Sequence, residues 1–193
     1  MVNEIPDNLA RKLVAVKLVI SDVDGTMARR IHLDYKGREI KVFCEKDAPR
    51  ITAIIERGIP FVMISGRNST AARARAKELK AGFYHRDEMF NSPFGGPLTA
   101  ADPLKFVEKT YGVSRKEIMY IGDDWGDLWW MPHVLVTVAP ADAVDEVRLT
   151  ADIVTDANGG EGAVSDAIVY LLKAKGWYEE IVAEHYQLPQ KKK

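Results

Sequence analysis

The stretch Leu18-Val19-Ile20-Ser21-Asp22-Val23-Asp24-Gly25-Thr26 carries an apolar run into two carboxylates one residue apart and then into a glycine turn. Alternate side chains of an extended segment share a face, so Asp22 and Asp24 can both point to the loop end of a parallel sheet, where open α/β folds bind ligands. One carboxylate can attack and the other can move a proton, which outlines phosphoryl transfer. Carboxylates this close repel each other, and a cation holding them together relieves the repulsion, so Mg2+ is the expected cofactor. As a purely local pattern, the same residues also fit an Asp-Gly turn with solvated acids.

Outward from this stretch, the chain reads as alternating strands and helices. Leu18 to Ile20 form a first buried strand and Ile59 to Ser65 a second. Between them a hairpin is expected, with arms Ile31 to Leu33 and Ile40 to Phe43 around Tyr35-Lys36-Gly37-Arg38, then a helix from Ala48 to Arg57 stopped by Gly58. A helix over Thr70 to Leu79 precedes a short extended piece near Phe83. The Pro/Gly-rich loop Asn91 to Pro97 leads to a helix over Pro103 to Tyr111. Ile118 to Ile121, Val134 to Val138 and Ile153 to Val154 are further short strands, with helices expected over Asp142 to Arg148 and Gly162 to Lys175. This alternation implies an α/β fold with a parallel sheet covered on both faces. Residues 1–16 read as a lead-in, 17–175 as the domain with a flap at about 27–45, and 176–193 as a tail, disordered at Lys191 to Lys193.

Composition narrows the function. A chain of 193 residues, 47% hydrophobic, suits one domain with a sizeable core. A net charge of -1, with acids and bases interspersed, argues against a nucleic-acid surface and against an anionic membrane as partner. Cys44 is the only cysteine, so no intramolecular disulfide forms. The first twenty residues lack a signal peptide's unbroken apolar core, and no run is long enough to cross a bilayer; a cytoplasmic location is the expectation.

Two more strand ends add to the site. Ile64-Ser65-Gly66-Arg67-Asn68-Ser69 offers a hydroxyl, a glycine turn and a guanidinium just before a helix, which suits phosphate oxygens at Ser65 and Gly66; Ser65 alone also fits a helix cap. Tyr120-Ile121-Gly122-Asp123-Asp124-Trp125-Gly126-Asp127 adds acids: Asp123 as a metal ligand beside Asp22 and Asp24, with Asp124 or Asp127 one shell out. An acidic helix start would give the same pattern.

In this order the pieces resemble the haloacid dehalogenase superfamily of phosphatases. Asp22-Val23-Asp24-Gly25-Thr26, Ser65 and Gly122-Asp123-Asp124 match three of its four motifs. From about Lys17 to Leu172 the likeness is to the 3-deoxy-D-manno-octulosonate 8-phosphate phosphatase branch, carried by the hairpin, Ser65 to Ser69, Arg75 to Leu79 and Gly159 to Val164. The resemblance implies a three-layer Rossmann-like fold without a large cap domain and a homotetramer whose hairpins and tails help close neighbouring sites. It implies an Mg2+-dependent phosphomonoesterase for a phosphorylated sugar acid, of the octulosonate 8-phosphate or the sialic-type 9-phosphate kind. Asp22 would then be the nucleophile and Asp24 the general acid and base, with the Asp24 carbonyl on the metal. Arg67 could meet a substrate carboxylate, or simply be a solvated arginine at a helix start.

Three departures concern charge and substrate. The branch's phosphate-binding lysine should fall near Ala100, where the sequence reads Leu98-Thr99-Ala100-Ala101. Lys105 lies about a turn further on, as a substitute or as a solvated helix lysine; Arg86 and Lys80 are the other candidates. Met27-Ala28-Arg29-Arg30 adds positive charge at the flap, and Ser165-Asp166 stands where the branch commonly has Arg-Glu. Trp125, Trp129 and Trp130 crowd the acidic motif, Trp125 as the one expected to face a ligand and Trp129 as a core residue. These departures leave a second reading open, a catalytically weak member kept as an oligomeric binding or regulatory subunit.

Overall fold

The computed structural model describes residues 5–86, 89 and 103–186. The expected loop over Asn91 to Pro97, the position near Ala100 and the Lys191 to Lys193 end lie outside the described residues. The first half runs α1 (Asp7–Ala15), β1 (Leu18–Asp22), β2 (Ala28–Leu33), β3 (Glu39–Phe43), α2 (Asp47–Glu56), β4 (Phe61–Ser65), α3 (Thr70–Leu79) and β5 (Gly82–His85). The second runs α4 (Pro103–Tyr111), β6 (Ile118–Ile121), β7 (Val136–Ala139), α5 (Asp145–Thr150), β8 (Ile153–Val154), α6 (Ala163–Ala174) and α7 (Tyr178–Tyr186), with short 3-10 turns before β6 and between β6 and β7.

Six strands form a parallel sheet in the order β5-β4-β1-β6-β7-β8, and β2 and β3 pair separately as an antiparallel hairpin. The strands are buried on both faces because their side chains alternate between two cores. Val19, Phe61, Met63, Met119, Ile121 and Val138 face one side with Leu13, Ile54, Ile168 and Leu171 of the helices. Leu18, Ile20, Val62, Ile64, Ile118 and Tyr120 face the other, with Leu104, Val107, Trp130 and Val147. The chain leaves β1 in one direction for β4 and β5 and returns on its other side for β6 to β8. The crevice at the end of β1 is thus the switch point of the sheet.

Most element boundaries agree with the sequence reading to within two or three residues. The lead-in, however, is a helix: Leu9, Leu13 and Val16 recur at helical spacing, and Leu13 and Val16 are fully buried against the core. The start of the tail is likewise helical, α7 resting on α6. The helix expected from Asp142 begins at Asp145, because the Val144 N–H is spent on the Asp123 carbonyl at 2.9 Å and holds residues 141–144 as a strap beside the acids. Among the described residues no helix is long and apolar enough to cross a membrane.

Candidate active site

Register brings the three motifs to one edge. Asp22 lies opposite Ile64, one residue before Ser65, and Ser21 lies opposite Ile121, one residue before Gly122. The pocket at this edge has a volume of ≈ 180 Å³, and its lining includes Asp22, Asp24, Gly66, Arg86, Asp123 and Asp127.

Beyond Asp22 the chain turns sharply: the Gly25 N–H donates to the Ala28 carbonyl at 2.8 Å, and Gly25 has a φ of +103°. A Cβ on Gly25 would lie 1.9 Å from an Asp123 carboxylate oxygen, so only glycine lets the two loops meet. Next to it the Thr26 hydroxyl, fully buried, donates to Asp123 Oδ1 at 2.7 Å and aims that carboxylate. Asp127 is fixed more tightly still. Its Oδ1 accepts from the Tyr120 hydroxyl at 2.6 Å, and its Oδ2 accepts from the N–H groups of Asp123 and Asp124 at 2.8 and 3.0 Å. Tyr120 in turn stacks on Trp130, centroids 5.7 Å apart.

One oxygen each of Asp22, Asp123 and Asp127 lies within 4.8 Å of the others. Burial first, then the carboxylates of Asp127, Asp123 and Asp24, push the Asp22 carboxyl well above its ordinary range. Burial also lifts Asp123 to about 7, against the hydrogen bond from Thr26. A crowd of hard oxygen donors that resist ionising together fits a small divalent cation, whose charge would offset their repulsion.

Asp24 is turned differently. Its Oδ2 accepts from the Ser65 hydroxyl at 3.1 Å, and Ser65 Oγ accepts from the Arg67 N–H at 3.0 Å, so Ser65 closes the turn as well as facing the acid. The other Asp24 oxygen pairs with Lys41 of β3, which sequence reasoning did not select. The Lys41 side chain is fully buried and also pairs with Glu39 at 3.2 Å. Glu39 continues to the Ser69 hydroxyl, whose oxygen caps α3 by accepting from the Ala72 N–H at 3.1 Å. The usable signal was the hairpin's alternation, Glu39 and Lys41 on one face and Ile40 and Val42 on the other.

The remaining candidates divide. Arg86 lines the pocket, whereas Lys105, Arg67 and Trp125 are exposed and outside its lining. Lys80 caps the far end of α3, which runs back from the site. Of the tryptophans it is Trp130 that is buried against the pocket, with Trp129 edge-on to it and 44% exposed. A larger cavity of ≈ 380 Å³ between α2, α6 and α7 is lined by Pro49, Arg50, Ala53, Leu172, Tyr178 and Ile181, with no carboxylate among the described residues that line it.

Comparison with known proteins agrees with this geometry. The sequence pattern of haloacid dehalogenase-like hydrolases matches residues 101–168. The 3-deoxy-D-manno-octulosonate 8-phosphate phosphatase of Haemophilus influenzae is 31% identical over 169 residues, covering 87% of this chain and 89% of the relative. The crystal structure of the Moraxella catarrhalis enzyme of that name, in complex with magnesium, phosphate and KDO, superposes with a TM-score of 0.81 at 28% identity over 91% of this chain and 97% of that one. The cobalt-bound Haemophilus influenzae structure gives 0.75 at 30% identity over 86% and 92%. With the parallel sheet, the acids at its switch point and this shared length in hand, the chain is a hydrolase of the haloacid dehalogenase-like family, in its 3-deoxy-D-manno-octulosonate 8-phosphate phosphatase branch.

Proposed function

We propose that this protein is an Mg2+-dependent phosphomonoesterase that hydrolyses a small phosphorylated sugar acid of the 3-deoxy-D-manno-octulosonate 8-phosphate type through an aspartyl phosphate. The observation that carries this is the pairing of Asp22 and Asp24 at the end of β1 with different surroundings, Asp22 among acids and Asp24 against Ser65 and Lys41. Two carboxylates in unlike environments divide into a nucleophile and a proton-transfer group.

Asp22 attacks phosphorus as the bond to the sugar oxygen breaks, and Asp24 gives that oxygen its proton. Asp24 then takes a proton from the water that attacks the aspartyl phosphate, releasing inorganic phosphate and restoring Asp22. Ser65 and the Gly66 turn hold phosphoryl oxygens during both displacements. Asp22, Asp123 and the Asp24 carbonyl would hold the metal, with Asp124 and Asp127 orienting them. When bound, Mg2+ neutralises charge on the transferring group. A pocket of ≈ 180 Å³ suits the phosphoryl group and its cation, so the sugar would lie at the mouth, with Arg67 and Trp125, both exposed outside the lining, as the candidates to meet it.

The hairpin supports the proposal of a homotetramer. Its buried side carries Lys41, while Leu33, Tyr35, Ile40 and Val42 are 67%, 89%, 51% and 65% exposed, an apolar surface on a two-stranded ribbon that a neighbouring copy would cover.

The test is phosphate release from octulosonate 8-phosphate, sialic-type 9-phosphate, simple sugar phosphates and an aryl phosphate, with Mg2+ and with chelator, for wild type and Asp22→Asn. Mg2+-dependent turnover lost in the variant supports the reading, and the preferred arm names the sugar. Absence of turnover on every substrate overturns it in favour of a binding subunit.

A further inference from the structure

Charge in the pocket is unbalanced. Among the described residues, five carboxylates, those of Asp22, Asp24, Asp123, Asp124 and Asp127, line it with a single cationic side chain, Arg86. A phosphomonoester adds a dianion, which one divalent cation does not offset. Lys41 cannot serve, because its buried ammonium is committed to Asp24 and Glu39. Arg86 forms no ion pair with a described residue and is exposed at the mouth.

Its position follows from the sheet. β4 and β5 are parallel with Ser65 opposite His85, so the residue after each strand, Gly66 and Arg86, emerges side by side. The two ends are tied by the His85 Nε2 contact to the Gly66 carbonyl at 3.3 Å. A Cβ on Gly66 would lie 4.0 Å from the guanidinium carbon, which therefore overhangs the turn at Ser65-Gly66.

We infer that Arg86 is the phosphate-binding cation of this site, gripping the non-bridging oxygens of the phosphoryl group opposite the carboxylate cluster. This assignment rests on the phosphomonoesterase reading and adds to it the source of positive charge in this chain. A guanidinium presents two parallel N–H groups to a phosphate, which a lysine cannot. Reaching in from β5, it binds an oxygen pair across from Ser65 and holds the phosphorus in line with Asp22.

The experiment compares wild type, Arg86→Ala, Arg86→Lys and Asp22→Asn. It measures kcat and KM on the best phosphoester, inhibition by inorganic phosphate, calorimetric binding of inorganic phosphate with Mg2+ present, and the Mg2+-induced shift in Tm. Arg86→Ala is expected to lose roughly 100-fold or more in kcat/KM, as removal of one transition-state donor does. It also loses phosphate binding and keeps the Mg2+ shift, with Arg86→Lys in between. An Arg86→Ala variant within about twofold of wild type in kcat/KM and phosphate affinity overturns the assignment while leaving the phosphatase reading intact. If wild type turns over nothing but binds phosphate through Arg86, the assignment stands and the phosphatase reading fails. Absence of phosphate binding to wild type overturns both.

Discussion

Lys41 of the hairpin reaches Asp24 at the end of β1 with its whole side chain out of water. A lysine is buried this way only when its charge is matched, here by Asp24 and Glu39 together. The pair ties the flap to the proposed proton-transfer group, so the hairpin's position and the aim of Asp24 are one variable. Lys41→Met keeps the length of the stem and removes the charge. Its expected effect is a loss of about 100-fold in kcat, the size of a misplaced general acid, with faster proteolysis at the hairpin. Wild-type kcat in this variant would show that the lysine merely fills space.

Crowding of the acids makes metal binding a function of pH. Asp22 is raised well above the ordinary range and Asp123 to about 7, first through burial. A carboxyl raised on folding contributes stability that is complete below its unfolded value and is lost as pH rises through its folded one. Chelated protein should therefore lose Tm as pH rises from about 4 through about 7, and the gain on adding Mg2+ should grow over the same interval, since the ligands must be ionised to bind it. Melting curves with chelator and with Mg2+ across that range check this; a gap independent of pH would count against it.

Gly25 is expected to tolerate no side chain. Alanine there would sit at a φ of +103° with its Cβ 1.9 Å from Asp123 Oδ2. Strain of roughly 1–3 kcal/mol is expected in Tm or denaturant midpoint, together with weaker Mg2+ binding because Asp123 must move. Unchanged Mg2+ affinity would mean that the loop relaxes elsewhere.

Away from the site, Asp47 at the start of α2 is buried, and that burial lifts its carboxyl to about 6, although it accepts from the Ser165 N–H at 2.9 Å. By the same sign, its cost to stability sets in as pH rises from about 4 and is complete above about pH 6. Asp47→Asn retains the acceptor and loses the charge, so at pH 8 it should stabilise the fold by roughly 2–3 kcal/mol, with the gain fading below about pH 4. Denaturant titrations at the two pH values decide the matter.

How much of this was legible depends on what each residue's neighbours in sequence reveal. The strand ends at Asp22, Ser65 and Asp123 were readable because an apolar run stopping at a polar residue marks the edge of a parallel sheet. Helices such as Thr70–Leu79 followed from spacing and caps. Lys41 was not readable in the same way: in a half-buried strand the apolar side is assumed to face inward, and here Ile40 and Val42 face out while the lysine faces in. Arg86 could be named as a candidate but not chosen over Lys80 or Lys105, because only strand register sets which cation overhangs Gly66. The helix at Asp7–Ala15 was within reach of the spacing of Leu9, Leu13 and Val16.

The small volume of the acid-lined pocket has an evolutionary corollary. A cavity with room for little more than a phosphoryl group and its counter-ion measures only the part that all phosphomonoesters share. Everything that distinguishes one ester from another must then be read by the outer face of the hairpin and the residues around the mouth. Because Lys41 of the same hairpin pairs with Asp24, a different hairpin grafted onto these strand ends would redirect the enzyme to a new sugar and retain its way of breaking the bond only if it carried that buried lysine with it.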